Sequence, residues 1–451
     1  MSDVQKSPWV ELGLHNWIQN QLIDLKITAP NEIQRMCIPE ILAGKDCIGC
    51  AKTGSGKTAV FAIPVLQKLS EDPYGVIALV LTPTRELASQ IADQFKAFGQ
   101  SIRVKVDLVV GGESSTIQSI KLSKKPHVVV ATPGRLASIL RENSEYFHFQ
   151  RLKFLILDEV DALLSPGDFE SDLSTILSVL PPAERRQTLA FSATSEGVVE
   201  TLRSQLKPTL FIYVSPDKIS TNTTLNEFYL LTPMIAKDAH LVYLLKQKLG
   251  IVITQDDRGA YITEKDDSVK RADRQAIVFT GSCWQCHLVG RILLKLGFKC
   301  SILHSALTQA LRIKNLSNFR SRHTRILVST SLAGRGLDIP CVDLVINLCL
   351  PFSPDEYIHH VGRTARAGRQ GTAITFIAPF ELDRLLDIEQ AIGKRLDEYV
   401  IENEMDVDRL VKCCALLRKE ISTNMFHNED SKLNRSIERK KRDKKKLKIV
   451  K

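Results

Sequence analysis

Two successive series of short apolar segments alternate with helix-like segments along the chain. In residues 45–215 the strand-like segments are GVIALVLT (75–82), HVVVAT (127–132), FLILD (154–158) and QTLAFSAT (187–194). The second series comprises AIVFT (276–280), KCSILHS (299–305), RILVST (325–330), VDLVINL (342–348) and TAITFIA (372–378). Apolar, β-branched strands that alternate with helices are typical of parallel sheets buried on both faces. The sequence therefore predicts an α/β fold with two parallel-sheet domains.

Polar stretches mark the expected boundaries. The stretch YVSPDKISTNTTLNE (213–227) separates the two series and predicts a flexible linker. We expect a first domain over 1–212, a second over 228–400, and a helical C-terminal extension with a basic tail over 401–451. The charged segment 254–274 predicts a mobile surface insertion. Two α/β units on a flexible joint suggest a cleft that opens and closes.

Length and hydropathy restrict the class of protein. The chain has 451 residues, of which 44% are hydrophobic, enough for two or three domains with substantial cores. It lacks an apolar run of the ~18–20 residues that span a bilayer, and its first residues lack the pattern of a secretory signal. We expect a soluble intracellular protein that has no membrane contact.

Positive charge is concentrated near residue 451. Residues 432–451 include 11 Lys or Arg and 2 Asp or Glu, so this tail carries +9 of the net charge of +10. The remainder is nearly neutral, and its bulk charge gives no argument for nucleic-acid binding. The tail is either a nuclear-import or nucleic-acid-binding patch, or a solvated end of the chain.

The ten cysteines include two CxxC pairs, Cys47/Cys50 and Cys283/Cys286. A structural zinc site normally has its two pairs ~15–20 residues apart, whereas these are more than two hundred residues apart. Each pair lies beside an apolar strand. This setting favours reduced core cysteines over a metal or redox site.

The stretch AKTGSGKT (Ala51–Thr58) lies between a strand-like and a helix-like segment. Gly54 and Gly56 allow a tight turn that aims backbone N–H groups at phosphate oxygens, and the following helix adds partial positive charge. Lys57 supplies a point charge for the β- and γ-phosphates, and Thr58 offers a hydroxyl to Mg²⁺. Strand, turn, Lys and Thr together predict a P-loop, with Ala51 where the general pattern has glycine.

The strand-like FLILD runs directly into further carboxylates, in the stretch DEVD (158–161). Carboxylates at a strand end beside a P-loop are typical of a magnesium site, since the cation relieves their mutual repulsion. We expect Asp158 to coordinate Mg²⁺, mostly through water, and Glu159 to orient the attacking water.

The P-loop, DEVD and SAT (Ser192–Thr194) together resemble the DEAD-box RNA helicases, with Val160 where that family has alanine. The resemblance covers roughly residues 8–395. It implies two RecA-like domains, ATP and Mg²⁺ as cofactors, and RNA as a partner. The implied nucleotide-site residues are Ala51, Lys52, Thr53, Gly54, Ser55, Gly56, Lys57, Thr58, Asp158, Glu159, Ser192 and Thr194.

The segment LKITAPNEIQ (25–34) resembles the family's adenine-recognition motif. Gln34 is the implied adenine contact, since glutamine can bond bidentately to adenine. Trp9 falls where the family has an aromatic residue that packs on the base, although it could equally be a core anchor. Asn31 and Glu32 replace the usual Thr-Pro, which makes adenine selectivity less certain than nucleotide binding.

RNA contacts in the first half are implied by three short stretches: PTREL (83–87), Gly111-Gly112 and TPGR (132–135). Arginines can bind phosphates, while threonines and glycine amides at helix starts add neutral donors. A few placed groups would suffice where bulk charge is lacking. The implied RNA-binding residues are Pro83, Thr84, Arg85, Gly112, Thr132, Gly134 and Arg135.

The second half resembles the family's later motifs in AIVFTGS (276–282), QALR (309–312), TSLAGRGLD (330–338) and HHVGRTARAGR (359–369). The resemblance implies that Arg363 and Arg366 are arginine fingers, which would contact the γ-phosphate in a closed state. Such a finger increases the rate of hydrolysis by a factor of ~10³–10⁵. Asp338 is the implied ribose contact. The implied RNA-backbone contacts are Gln309, Arg312 and Thr330.

Three positions in these later motifs depart from the family. Ser331 stands where aspartate is expected, His360 replaces arginine, and Gly334 replaces alanine. Because one carboxylate and one guanidinium are both missing, the local charge balance could survive while coupling between the domains is weaker. We hypothesise that Ser331→Asp or His360→Arg raises RNA-stimulated ATPase activity.

The resemblance implies a helicase in which ATP and RNA close two incomplete halves, so that RNA-stimulated hydrolysis separates or remodels a short duplex. Several stretches resemble the nucleolar subgroup that acts in small-ribosomal-subunit assembly, so we expect a nuclear and nucleolar monomer. Its expected partners are single-stranded or short duplex RNA, such as pre-rRNA, and a protein activator. The alternatives are an ATP-dependent RNA clamp without strand separation, a DNA translocase and an ATP-binding structural protein.

Overall fold

The structure is a computed structural model. It describes residues 8–51, 54–143, 149–164, 169–192, 198–215, 225–255, 261–265, 274–331, 339, 341–365 and 369–427. The described residues up to Ser215 form one compact unit, and those from Leu225 onward form a second. The tail residues 432–451 lie outside the described residues.

The first unit is built on a seven-stranded sheet in the order β3-β4-β2-β5-β6-β1-β7, and every strand pairing in it is parallel. Its strands are β1 (Asp46–Cys50), β2 (Ala78–Leu81), β3 (Val106–Val109), β4 (Val128–Ala131), β5 (Phe154–Asp158), β6 (Gln187–Ser192) and β7 (Leu210–Val214). Its helices are α1 (Asn16–Asp24), α2 (Glu32–Leu42), α3 (Lys57–Glu71), α4 (Arg85–Phe98), α5 (Ser115–Ser123), α6 (Pro133–Asn143), α7 (Val160–Leu163), α8 (Glu170–Leu177) and α9 (Val198–Leu202).

The second unit contains another seven-stranded sheet, in the order β12-β13-β11-β14-β15-β8-β16 and again with parallel pairings throughout. Its strands are β8 (Leu225–Leu231), β11 (Ala276–Thr280), β12 (Cys300–Leu303), β13 (Ile326–Thr330), β14 (Leu344–Asn347), β15 (Gly371–Ile377) and β16 (Asp397–Glu398). Its helices are α10 (Lys237–Leu249), α11 (Cys283–Lys295), α12 (Gln309–Arg320), α13 (Pro354–Val361), α14 (Leu382–Ile392) and α15 (Glu404–His427).

The predicted α/β class with two parallel sheets is confirmed. Every residue of β2, β4 and β5 is buried, as is every residue of β11, β13 and β14. Helices on both faces exclude water from these strands, which explains why their sequences are continuously apolar rather than alternating.

The structure revises two stretches that were expected to lack regular structure. Residues 251–255 (β9) and 261–265 (β10) form an antiparallel hairpin that includes the start of the predicted insertion, 254–274. The β-branched residues of VITQ and YITEK favour strands despite the surrounding charge. The predicted linker, 213–227, has strand residues at both ends, since β7 ends at Val214 and β8 begins at Leu225; residues 216–224 lie outside the described residues.

Helix α15 packs against α10 and α11 of the second unit. Val407, Cys414 and Ile421, spaced seven residues apart on one face, belong to the buried core. Arg418 donates from Nε and Nη2 to the buried carboxylate of Asp238, at 2.6 and 3.0 Å. The helical part of the C-terminal extension is therefore integral to this core. None of the helices in the described part of the chain is both long and apolar enough to span a membrane.

Candidate nucleotide-binding and RNA-binding sites

The predicted P-loop connects the end of β1 to the start of α3. Gly54 and Gly56 have φ angles of 87° and 82°, in the left-handed region that glycine adopts without a Cβ penalty. Gly56 is the N-cap of α3, so the helix begins at Lys57. Lys52 and Thr53 lie outside the described residues. The remaining backbone has the turn and helix start that a phosphate site requires.

The side chain of Lys57 connects two neighbouring strand ends. Its Nζ donates hydrogen bonds to the carbonyl oxygens of Ala51 at 2.9 Å and Ser192 at 3.2 Å. Ala51 N–H also donates to the Ser192 carbonyl. These bonds hold the ammonium group beside the turn, at the ends of β1 and β6.

Asn31 and Gln34 hold the P-loop backbone from the side of α2. Asn31 caps this helix, because its Oδ1 accepts from Gln34 N–H while Gln34 Oε1 accepts from Asn31 N–H. Asn31 Nδ2 also donates to the Ser55 carbonyl at 2.6 Å, and Gln34 Nε2 donates to the Gly56 carbonyl at 3.3 Å. A Cβ at Gly56 would lie 2.6 Å from both side-chain nitrogens, so only glycine fits there.

These two contacts orient the peptide groups of the loop. In a trans peptide the C=O and the following N–H point in opposite directions. Anchoring the carbonyls of Ser55 and Gly56 on one side therefore aims the N–H groups of Gly56 and Lys57 to the other side. We call the pair of contacts from Asn31 and Gln34 to this backbone the amide clasp.

Trp9 is fully buried, and its Nε1 donates to the Ile27 carbonyl at 3.1 Å. It belongs to the core cluster of the first unit. Of the two interpretations of this residue, the burial favours the core anchor over the adenine contact.

The DEVD carboxylates follow β5 directly. Asp158 is buried, and the pKa of its carboxyl is raised to about 7, mainly by burial; the charges of Glu159 and Asp161 contribute to the rise, while Lys57 and the Glu159 N–H oppose it. Asp161 Oδ1 accepts a 3.1 Å hydrogen bond from Ser192 Oγ, which connects DEVD to SAT. Thr194 lies outside the described residues.

Glu159 is buried and has a left-handed backbone, with φ 56° and ψ 53°. A non-glycine residue in this region is strained, and the surrounding structure must fix it. Glu159 precedes α7 as its N-cap, so the turn between β5 and α7 directs its side chain. Such strain at the expected water-orienting residue is consistent with a functional position.

The candidate RNA-binding residues of the first unit follow β2, β3 and β4. Thr84 caps α4 by accepting from Leu87 N–H. The Arg85 guanidinium lies against Gly111 in the loop that follows β3. Its Nη2 is so near that a Cβ added to Gly111 would lie only 2.5 Å away. Pro83, Gly112, Thr132, Gly134 and Arg135 occupy the same strand ends or helix starts. The three stretches PTREL, Gly111-Gly112 and TPGR are thus neighbours in space.

The sheet order divides the two groups of candidate residues. The nucleotide candidates follow β5, β6 and β1, which are consecutive in the sheet, and the RNA candidates follow β3, β4 and β2, which are consecutive beside them. Because all strands are parallel, both groups lie at the carboxyl edge, where α/β sheets bind ligands.

In the second unit, Gln309 and Arg312 begin α12 after β12, and Thr330 ends the adjacent β13. These three candidate RNA contacts therefore share one region of its sheet edge. Arg363 follows α13 and is buried; its N–H donates to the His360 carbonyl. Asp338, Arg366 and the Gly334 departure lie outside the described residues.

The cysteines are consistent with the core interpretation. All ten are unbridged. Burial raises the pKa of the Cys50 thiol to about 11 and raises that of Cys286. Thiols with raised pKa values remain protonated and unreactive.

Comparison with known proteins places these features in a family. Residues 31–202 match the family model described as DEAD/DEAH box helicase, and residues 262–368 match the helicase conserved C-terminal domain. The chain is 43% identical over 428 residues to the probable ATP-dependent RNA helicase DDX49 of Homo sapiens, covering 94% of this chain and 84% of that protein. It is 45% identical to the ATP-dependent RNA helicase dbp8 of Schizosaccharomyces pombe, covering 90% and 86%. The chain belongs to the DEAD-box family of ATP-dependent RNA helicases.

A solved structure supports the fold of this DEAD-box helicase. Mss116p bound to single-stranded RNA and AMP-PNP matches with a TM-score of 0.78 and 27% identity, over 92% of this chain and 83% of that one.

Two features of the DEAD-box site were missed by sequence reasoning. Asn31 appeared only as a departure that weakens adenine selectivity, whereas it caps α2 and contacts the P-loop. Its position in N-E-I-Q, three residues before Gln34, matches a capping box and could have indicated the first role. The left-handed backbone of Glu159 has no sequence signal, because glutamate does not favour this conformation.

Proposed function

We propose that this DEAD-box helicase uses ATP hydrolysis to separate short RNA duplexes locally. The observation that carries the proposal is the single carboxyl edge of the first sheet, where the nucleotide candidates and the RNA candidates occupy adjacent sets of strand ends. Ligands bound at neighbouring loops of one rigid sheet can influence each other through short, direct connections. RNA bound at this edge would thereby stimulate hydrolysis.

The donor set in the first unit fits Mg²⁺. Magnesium prefers hard oxygen ligands and keeps several waters, so one carboxylate and one hydroxyl suffice. Asp158 and Thr58 would hold it. The raised pKa of Asp158 reflects burial and the negative charges of its neighbours, which is the environment that a divalent cation stabilises. A bound Mg²⁺ would neutralise the negative charge that develops on the phosphates during hydrolysis.

The residues of the chain then have distinct roles. Backbone N–H groups at Gly56 and Lys57, oriented by the amide clasp, bind phosphate oxygens. Lys57 Nζ moves from its carbonyl partners to the phosphates. Glu159 orients the attacking water, and the bond between Ser192 and Asp161 holds the two motifs together. Arg363 belongs to the other unit, so fast hydrolysis requires both units.

The RNA candidates favour recognition of the backbone over the bases. They include three arginines, threonines at strand ends or helix starts, and glycine amides, which suit phosphate and sugar oxygens. Contacts of this kind give little sequence preference, and 2′-OH contacts distinguish RNA from DNA.

The test uses the full chain, with the Lys57→Ala variant as the inactive control. ATP hydrolysis is measured with and without single-stranded RNA, with single-stranded DNA as competitor. Strand separation is measured on one short and one long RNA duplex. We expect stimulation by RNA, weak competition by DNA, and separation of the short duplex only.

Each rival function predicts a different result. RNA-stimulated hydrolysis without strand separation would identify an ATP-dependent clamp. Equal stimulation by DNA would identify a nucleic-acid translocase. ATP binding without hydrolysis in any condition would indicate an ATP-binding structural protein.

We further propose that the substrate is pre-rRNA of the small ribosomal subunit and that the protein acts in the nucleolus as a monomer with a protein activator. The support is the similarity to the DDX49 and dbp8 helicases over nearly the whole chain, together with the basic tail. Cross-linking of the tagged protein to RNA in cells tests this. Enrichment of messenger RNA over rRNA precursors would contradict it.

The tail, residues 432–451, is proposed to add RNA affinity. The slope of log K for RNA binding against the logarithm of salt concentration changes by about −0.7 for each phosphate that is neutralised on a single strand. Deletion should weaken RNA binding and flatten this dependence. An unchanged slope would restrict the tail to localisation.

A further inference from the structure

Two departures from the family pattern, Ser331 and His360, lie in direct contact. They are 29 residues apart in sequence, yet His360 Nε2 lies 2.9 Å from Ser331 Oγ. The expected residues at these positions are an aspartate and an arginine, which would form a charged pair. The chain therefore has a hydroxyl–imidazole pair where the family resemblance leads us to expect a charged pair, and both partners depart from that expectation.

The surroundings fix the tautomer of His360. Asn347 Nδ2 donates to Thr375 Oγ1 at 3.0 Å, so its Oδ1 faces His360 Nδ1 at 2.8 Å. Since Oδ1 can only accept, Nδ1 carries a proton, and in the singly protonated ring Nε2 accepts from the Ser331 hydroxyl. The ring also stacks on Phe279, with centroids 3.8 Å apart and planes 4° apart.

This pair lies between two functional candidates of the second unit. Ser331 directly follows Thr330, the end of β13 and a candidate RNA contact. The carbonyl of His360 accepts the N–H of Arg363, a candidate arginine finger, at 3.0 Å. A side-chain hydrogen bond and a backbone hydrogen bond thus lead from the RNA contact to the finger.

We propose that Ser331 and His360 are matched positioning residues that couple RNA binding at Thr330 to the placement of Arg363. The inference rests on the proposed function, because it assumes that RNA stimulates hydrolysis. RNA that immobilises the end of β13 also immobilises the Ser331 hydroxyl. Because this hydroxyl is hydrogen-bonded to His360, the turn that carries Arg363 becomes immobilised as well.

The same contacts argue against a gain of activity from either single change to the family residue. Arginine at position 360 would replace a ring stacked on Phe279 with a buried guanidinium opposite a hydroxyl, and the Glu356 carboxylate, 4.0 Å from His360 Nε2, would have to offset the cost of burying that charge. Aspartate at position 331 would add a carboxylate near Glu356, whose Oε1 lies 4.0 Å from His360 Nε2. Only the double change would recreate a complete pair.

The first experiment compares Ser331→Ala with Ser331→Thr in the full chain. Removing the hydroxyl leaves a buried acceptor without its donor, so we expect the RNA-stimulated kcat of Ser331→Ala to fall about tenfold. The threonine variant keeps the hydroxyl and should remain within about twofold of the wild type. ATP affinity should be unchanged in both variants, whereas the thermal unfolding midpoint should fall by a few degrees in Ser331→Ala and stay near the wild-type value in Ser331→Thr. An Ser331→Ala variant with wild-type stimulation would overturn the proposal.

The second experiment is a double-mutant cycle. We expect His360→Arg to lower stimulated kcat about tenfold or more and Ser331→Asp about threefold, while the double variant returns to within about threefold of the wild type. If the losses simply multiply in the double variant, the residues are not a matched pair.

A spectroscopic measurement separates this proposal from the proposed function. Histidine labelled with ¹⁵N in the full chain, assigned with His360→Gln, reports which ring nitrogen carries the proton. We expect the Nδ1-protonated tautomer, even if the protein proves to lack RNA stimulation. The Nε2-protonated tautomer would refute the pair while leaving an RNA-stimulated ATPase intact.

Discussion

The amide clasp allows the contribution of Asn31 to nucleotide binding to be separated from its contribution to stability. Its Oδ1 caps α2 and its Nδ2 donates to the Ser55 carbonyl. Asn31→Asp keeps a good helix cap but replaces the donor with a second acceptor. Asn31→Thr, the family residue, keeps a weaker cap and loses the amide Nδ2 donor. Asn31→Ala loses both.

The magnitudes follow from these contacts. A hydrogen bond of this kind contributes about 0.5–1.5 kcal/mol, so Asn31→Thr should bind ATP roughly 2–10-fold more weakly. Asn31→Asp should bind more weakly still, by about tenfold or more, because its carboxylate would face the Ser55 carbonyl oxygen and repel the bound phosphates. The cap contributes about 1 kcal/mol to stability, and every variant loses the Nδ2 bond, so stability should fall less in the aspartate variant, which keeps the cap, and most in Asn31→Ala.

The assay measures ATP affinity in the absence of RNA and the thermal unfolding midpoint for the same variants. The clasp predicts that the aspartate variant is among the most stable variants and also the poorest ATP binder. A matched control is Asn403→Asp, which removes a 3.1 Å bond from Asn403 Nδ2 to Asp406 at an exposed site in the other unit. Its ATP affinity should match that of the wild type. Wild-type ATP affinity in Asn31→Asp would refute the role of the clasp.

Three further outcomes are expected. Lys57→Ala should abolish nucleotide binding, because no other described side chain takes the place of its ammonium group at this turn; normal ATPase activity would exclude the P-loop as the site. Glu159→Gln should retain ATP and RNA but lower turnover by about 10²-fold or more, and fast turnover would assign the water-orienting role elsewhere. Asp158→Asn should stabilise the nucleotide-free, metal-free protein, because burial raises the pKa of this carboxyl to about 7. Folding then favours the protonated form, so the wild type loses stability as pH rises from the unfolded pKa to about 7, and the advantage of asparagine should grow by roughly 2–3 kcal/mol between pH 5 and pH 8. Urea unfolding with a chelator measures this advantage, and a pH-independent difference would contradict the raised pKa.

The parts of this protein that depend on local chemistry followed from the sequence alone. Continuous apolar runs between helix-like segments predicted the two parallel sheets, because a strand that is buried on both faces has no solvent-exposed face for polar side chains. The turn from β1 into α3 followed from Gly54, Gly56 and Lys57, whose conformational freedom and charge act within a few residues. The DEVD site was predicted for the same reason.

Only the tertiary structure decided which distant residues meet. Ser331 and His360 appeared in the sequence as two separate departures, and the register of β11, β13 and β14 beneath α13 makes them one contact. In the sequence, Asn31 appeared as a departure that weakens adenine selectivity, whereas in the structure it contacts the P-loop. The sequence alone could not decide whether Trp9 is an adenine contact or a core anchor. Sequence patterns report what a residue does to its own segment. Contacts between segments depend on how sheets and helices pack, and side-chain type alone does not specify them.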